Sequence, residues 1–368
     1  MIDETVRDWL LDSDPTLRWQ VERDLLDEPA EVWRATRARI PLEGDGARLL
    51  SYQDPDGQWA GGAFFPDGFD FATQDEIPGQ PYTATTWTLT TLREWGMDAA
   101  ALGDTADRLA VSARWEYDDL PYWDGEVDVC INAMTLANGA WLGRDMSPLA
   151  AWFAAHQLPD GGWNCEWVDG SVRSSFHSTI NAVRGLLAYE ELTGDSSVAA
   201  SRRRGEEYLL ARRLRTRLST GEQVGPWTDL LVYPYRAPFS ALKAADHVTA
   251  AAVHDGILLD PRAADTLEIV RAGCQCDGRW LQGFHFPGEV WFPLGVEVGE
   301  PSRWVTFLAL RALSRAGAAS ASVGRHTTKR DWSSTSPDRD DGSVIDARSV
   351  DADRRTREQA SIHHTAAA

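Results

Sequence analysis

Lysine is nearly absent from this 368-residue chain, which holds only Lys243 and Lys329. Arginine therefore carries almost all the basic charge, a bias we read as the codon usage of a GC-rich bacterial genome. Basic residues as a class are also in deficit, with 36 Lys and Arg against 56 Asp and Glu and a net charge of −20. A surface of that sign disfavours nucleic acid and anionic bilayers, so the expected partner is a neutral, apolar or cationic small molecule. Four cysteines, at 130, 165, 274 and 276, are too few and too irregular for a disulfide framework. No apolar run approaches a membrane span, and the opening "MIDETVRDWLLDSDP" lacks the basic-then-apolar order of a secretory signal. A cytoplasmic protein is expected. Strand-like alternation is missing throughout, which points away from a sheet.

Tryptophan, by contrast, is abundant at 17 residues, clustered near glycines and acidic side chains. Three of them close one repeated phrase: "QDPDGQW" (53 to 59), "QLPDGGW" (157 to 163) and "CQCDGRW" (274 to 280). The Asp-Gly steps fall at 56, 160 and 277, so the spacings are 160 − 56 = 104 and 277 − 160 = 117. Half of each spacing suits a pair of helices, and weaker copies stand midway in "YDDLPYW" and "STGEQVGPW". Between the turns lie five Ala- and Leu-rich segments that mostly end in Gly: "PYTATTWTLTTLREWG", "VDVCINAMTLANGAWLG", "SSFHSTINAVRGLLAYEELTG", "PFSALKAADHVTAAAVHDG" and "PSRWVTFLALRALSRAG". They read as equivalent inner helices. One helix pair cannot bury its own apolar face, so the expected fold is all-α, a closed array of about five to six pairs over residues 41–317. Residues 1–40 read as an extra helix pair packed on the ring as a cap or lid, and 318–368 as a disordered tail rich in Ser, Thr, Asp and Arg.

The repeated turn, the inner helices and the number of units resemble the α/α toroid of the terpenoid cyclase and protein prenyltransferase superfamily, over about residues 40 to 315. Within it, "VDVCINAM" followed by "QLPDGGWNCEWVDGSVRSSFHSTINAVRGLLAY" is similar to the zinc-binding part of protein prenyltransferase β subunits. That resemblance implies zinc ligands at Asp128, Cys130 and His177, the last two 177 − 130 = 47 residues apart, about one repeat. Elementary geometry agrees for the first pair. Residues two apart diverge on a regular helix and converge only at its start, where the cap residue is not yet helical. Carboxylate, thiolate and imidazole all suit zinc, and three protein ligands leave a fourth position open. The plainer reading is a capping Asp128, a buried Cys130 and a hydrogen-bonded His177.

Cys165 in "WNCEW" is the candidate fourth ligand, which would close the site and make the metal structural, and Glu166 beside it is a candidate acid or base. The prenyltransferases carry basic residues ahead of their Asp-x-Cys step, whereas this chain has "DLPYWDGE". Arg236 and Arg303, at the starts of the last two inner helices, are the basic candidates for an anionic substrate group. "WEYDD" resembles the acidic motif of triterpene-type cyclases, making Asp118 and Asp119 the proton donors of a metal-free alternative. Trp87, Tyr122, Trp123, Trp163, Trp167 and Phe176 are candidates to line an apolar chamber. Three readings result: a zinc-dependent enzyme acting on an apolar, isoprenoid-like substrate; acid-initiated terpenoid cyclisation by Asp118 or Asp119; and a non-catalytic ring that binds a hydrophobic ligand or a protein around a structural zinc.

Overall fold

The computed structural model describes residues 2–72 and 79–321. The expected tail from residue 318 therefore lies almost wholly outside the described residues. Thirteen α-helices and no strand are present among the described residues, where only isolated bridges occur. In order they are α1 (Glu4–Leu11), α2 (Pro15–Asp24), α3 (Ala30–Arg37), α4 (Gly44–Leu50), α5 (Thr85–Glu94), α6 (Thr105–Ser112) and α7 (Val129–Trp141). Then follow α8 (Ser147–Ala155), α9 (Phe176–Thr193), α10 (Ala199–Ala211), α11 (Ala241–Asp255), α12 (Ala264–Ala272) and α13 (Arg303–Ala321). None is long and apolar enough to cross a membrane.

Each of the five segments anticipated as inner helices forms one, α5, α7, α9, α11 and α13, and α13 runs four residues past the expected end at 317. Their boundaries follow from local chemistry. Ser175 caps α9 by accepting the N–H groups of His177 and Ser178, and Gly194 ends it at φ 73°, where a Cβ would be strained. Ser240 and Gly256 play the same parts for α11. Ten of the 13 residues of α7 are buried, against five of 13 in α10, so α7 is enclosed on several sides while α10 keeps a wet face. The α7 and α9 backbones approach closely at Gly185, where an added Cβ would stand 2.6 Å from the Ala133 carbonyl oxygen.

The Asp-Gly-Trp turns are structural joints of one design. Trp59, Trp163 and Trp280 are buried, and each donates its indole N–H to a carbonyl ten residues earlier, on Leu49, Phe153 and Val270. The backbone N–H of each tryptophan donates to the threonine of a following inner helix: Thr85, Thr179 and Thr306. The intervening Gly57, Gly161 and Gly278 all have φ between 79° and 100°. One tryptophan thus ties the helix before the turn to the helix after it, with two hydrogen bonds of about 1 kcal/mol each beyond its apolar burial.

α7 packs against α5 and α9, α11 against α9 and α13, and α13 against α2. Trp19 and Gln20 of α2 donate to the carbonyls of Trp95 and Glu94 at the end of α5. These six helices surround a cavity of about 450 Å³, with α8, α10 and α12 packed outside them. α2, expected only as part of a cap, contributes to the cavity wall.

Candidate metal centre and the adjoining cavity

Asp128 is the N-cap of α7, and its Oδ1 accepts the N–H groups of Cys130 at 2.7 Å and Ile131 at 3.2 Å. Capping turns the carboxylate back over the first turn, which brings it beside a thiol two residues on. The third member is Cys165, at the start of a single 3-10 turn, Cys165–Asp169, capped by Asn164. Its backbone N–H donates to Ser178 Oγ on α9 at 3.0 Å, which fixes the loop against that helix. The Cys165 thiol donates to Asp128 Oδ1 at 3.0 Å, and its Sγ lies 3.3 Å from Cys130 Sγ. One ligand atom from each of Asp128, Cys130 and Cys165 lies within 4.8 Å of the others.

The electrostatics of this cluster favour a cation. Burial, together with the adjacent Cys130 and Asp128, pushes the Cys165 thiol up. Glu126, whose carboxylate accepts the Asp128 N–H, is likewise pushed up by burial and by Asp128. Two carboxyls and two thiols are thus gathered in one buried acidic donor set, of the kind a divalent ion stabilises. Zinc–sulfur bonds of about 2.3 Å at tetrahedral angles set sulfurs about 3.8 Å apart, so the pair at 3.3 Å needs only a small spread. The donor set fits zinc.

His177, expected as the third ligand, stands outside this cluster. Its Nδ1 accepts the Phe239 N–H at 2.8 Å and its ring packs on Trp227 at 4.4 Å between centroids. Burial and the nearby Lys243 lower its pKa to about 4, which leaves a neutral imidazole with Nε2 uncommitted. A second acidic group, Glu190, His254 and Asp255, also has ligand atoms close together. There, fully buried Arg202 donates to Glu190 and Asp255 at 2.7 Å and to Glu206 at 2.9 Å. Arginine already neutralises that cluster.

The metal candidate adjoins the cavity through Asn181 on α9. Asn181 lines the cavity and donates from Nδ2 to Cys130 Sγ at 3.2 Å, while its Oδ1 accepts from the Lys243 ammonium. Burial and Arg184 hold Lys243 down to about 7. The cavity lining carries seven Arg side chains and Lys243 against three carboxylates, Glu94, Glu191 and Asp246, an excess of four positive charges, or five with Lys243 protonated, inside a chain of net −20. The sign inferred from bulk composition does not hold for the interior. Asp246 meets Arg184, Arg311 and Arg315, and these cross-ties join α9, α11 and α13 around the cavity.

Of the residues singled out in the sequence, Trp87 and Arg236 line the cavity. Trp163 does not, because its joint buries it completely, nor does Tyr122, which stacks on Trp115 and bonds to Thr86. Trp123 and Trp167 are tied to the carbonyls of Ala106 and Val127 away from the cavity, and Phe176 packs in a cluster with Trp227 and Phe239. Arg303 bonds to the Trp9 carbonyl and to exposed Asp12. Asp118 and Asp119 are exposed in a turn at φ 53°, outside the cavity wall, where water solvates both carboxylates. Glu166 shares the Cys165 turn without joining the three-ligand cluster. Sequence reasoning passed over Asn181, Arg184, Lys243 and Asp246, although each is a polar residue within an Ala- and Leu-rich inner helix. Compared with protein-family models, curated proteins and solved structures, the chain matches none.

Proposed function

We propose that this chain is a zinc-dependent enzyme of α/α-toroid plan, similar to the terpenoid cyclases and protein prenyltransferases, acting on an apolar, isoprenoid-like substrate in its central cavity. The observation that supports the reading is the hydrogen bond from cavity-lining Asn181 to Cys130 Sγ, which links the buried candidate metal-ligand cluster to a residue of the cavity wall. The toroid is supported by six helices around one cavity and by three Trp joints with the same bonding pattern.

Asp128, Cys130 and Cys165 would hold the metal. Bound zinc supplies a Lewis acid and lowers the pKa of a thiol or water at its open position. Asn181 orients the Cys130 sulfur, and Ser178 donates to Cys165 Sγ at 3.1 Å. Trp87, Met134 and Leu308 offer apolar surface to the substrate body. A structural zinc in a non-catalytic ring is the second reading, favoured by one observation: the cluster already holds two sulfurs, Cys130 and Cys165, and a fourth protein ligand such as His177 would close it.

Metal analysis of the full chain and of Cys130→Ala, Cys165→Ala and His177→Ala tests both. One zinc per chain, lost in the two cysteine variants and kept in His177→Ala, supports the open, catalytic site. Loss in all three supports the closed one. Absence of stoichiometric metal from the parent protein sinks both and leaves Asp128 a helix cap.

A further inference from the structure

Three hydrogen-bond donors on the cavity wall have no acceptor among the described residues. Trp87 is 2% exposed and its Nε1 is unpartnered, as is the hydroxyl of Tyr235. Arg236, 6% exposed, engages only ring faces with its guanidinium, at 4.0 Å from the Tyr82 centroid and 5.6 Å from that of Trp87. The neighbouring cations differ: Arg184, Arg311 and Arg315 share Asp246, and Lys243 donates to Asn181 and to the Arg236 carbonyl. A buried guanidinium with no counter-charge is costly unless something brings one. The small cavity on its other side, about 10 Å³, has room for one water at most.

We propose that the cavity binds an amphiphile bearing one carboxylate on an apolar body, the carboxylate pairing with Arg236 and flanked by Trp87 Nε1 and the Tyr235 hydroxyl. A guanidinium fork matches a carboxylate two bonds at a time. One carboxylate would supply the ion-pair partner that Arg236 lacks among the described residues, where the nearest carboxylate influence is that of Glu94, itself bridged to Arg184. The cavity volume of about 450 Å³ suits a small amphiphile. This inference names the substrate class for the cavity of the proposed function and rests on that reading for the cavity alone, not for the metal.

Calorimetric titration of the full chain with dodecanoate and farnesoate, each beside its alcohol and its phosphate monoester, provides the test. At least one acid should bind about 30-fold more tightly than its alcohol, the worth of one charge-assisted pair. Arg236→Gln should erase that preference while leaving the alcohol's affinity in place, and Tyr235→Phe should weaken the acid a few-fold. Without ligand, Arg236→Gln should melt no lower than the parent, because it removes a buried charge that forms no ion pair among the described residues; a lower midpoint would make Arg236 structural and count against the site. Alcohols binding as tightly as acids, a preference for phosphate, or no binding of either acid at millimolar concentration would overturn the proposal. Repeating the titration with chelator separates the two ideas. Metal-free protein that still prefers acids refutes only the zinc, and zinc-loaded protein without that preference refutes only the carboxylate site.

Discussion

Replacing Asp246 with Asn should destabilise the protein by about 3 to 5 kcal/mol, the usual cost of removing one member of a buried charge network. Asp246 is 5% exposed on α11 and accepts from Arg311 at 2.9, 3.0 and 3.1 Å and from Arg315 at 3.1 Å, with Arg184 at 3.5 Å. Burial pushes its carboxyl up, but Arg311, Arg315 and Arg184 overcome that and hold it at about 2 against an ordinary 3.8. A carboxyl so depressed contributes about 2 to 3 kcal/mol at neutral pH, and the three guanidiniums left unscreened account for the rest. In urea, with a slope of about 3 kcal/mol per molar, the midpoint should fall by about 1 M or more. The pH dependence has a definite sign. A carboxyl that is a stronger acid in the folded state contributes fully above about pH 4 and loses that contribution as pH falls toward 2. Asp246→Asn should therefore show a flatter stability profile in that window than the parent. A midpoint within about 0.2 M of the parent at pH 7, or the same slope from pH 4 to 2, would refute the assignment of this network as the tie between α9, α11 and α13.

Gly161→Ala should cost about 1 to 3 kcal/mol by thermal unfolding, because the residue sits at φ 100° and the new Cβ would stand 3.0 Å from the Arg204 carbonyl oxygen. Asp118→Asn and Asp119→Asn should change stability by less than about 0.5 kcal/mol, since both side chains are exposed and Asn tolerates the same left-handed backbone. Loss of turnover in either variant would revive acid-initiated cyclisation. Lys243, held down to about 7, gives up its proton in the folded state before it does in the unfolded chain. Parent stability should therefore rise as pH climbs from 7 toward 9, and Lys243→Met should flatten that rise in paired melting curves.

The helices and joints were legible because their signals are local. A serine or aspartate cap, a terminal glycine and a run of Ala and Leu define α7, α9 and α11 wherever they pack, and all three lie within the segments marked out from the sequence. The Asp128–Cys130 pair was legible for the same reason, since its convergence needs only a helix start. Cys165 was harder to place. Its position depends on a capped turn pinned to Ser178 Oγ, thirteen residues away on another element, and no periodicity encodes such a contact. The separation of His177 from that cluster was not legible, because its position on the helix says nothing of the Phe239 N–H that claims Nδ1.

The character of the cavity was hidden by averaging. A net charge of −20 sums an acidic exterior and a basic interior, and the exterior is larger. A finer signal was nevertheless present, because charged residues on the inner helices recur at one-turn spacings. Arg311 and Arg315 lie four apart on α13, and Lys243, Asp246 and His247 lie at i, i+3 and i+4 on α11. Such spacings put each set on one helix face. On a solvated face they would sit among other polar residues, but on α11 eleven of 15 residues are buried, so a charged stripe there must meet charges of another helix or a ligand. Asp246 meets the arginines of α9 and α13. Arg236, just ahead of α11, forms no ion pair among the described residues, and that difference separates the charges that tie α9, α11 and α13 together from the one whose guanidinium meets only ring faces.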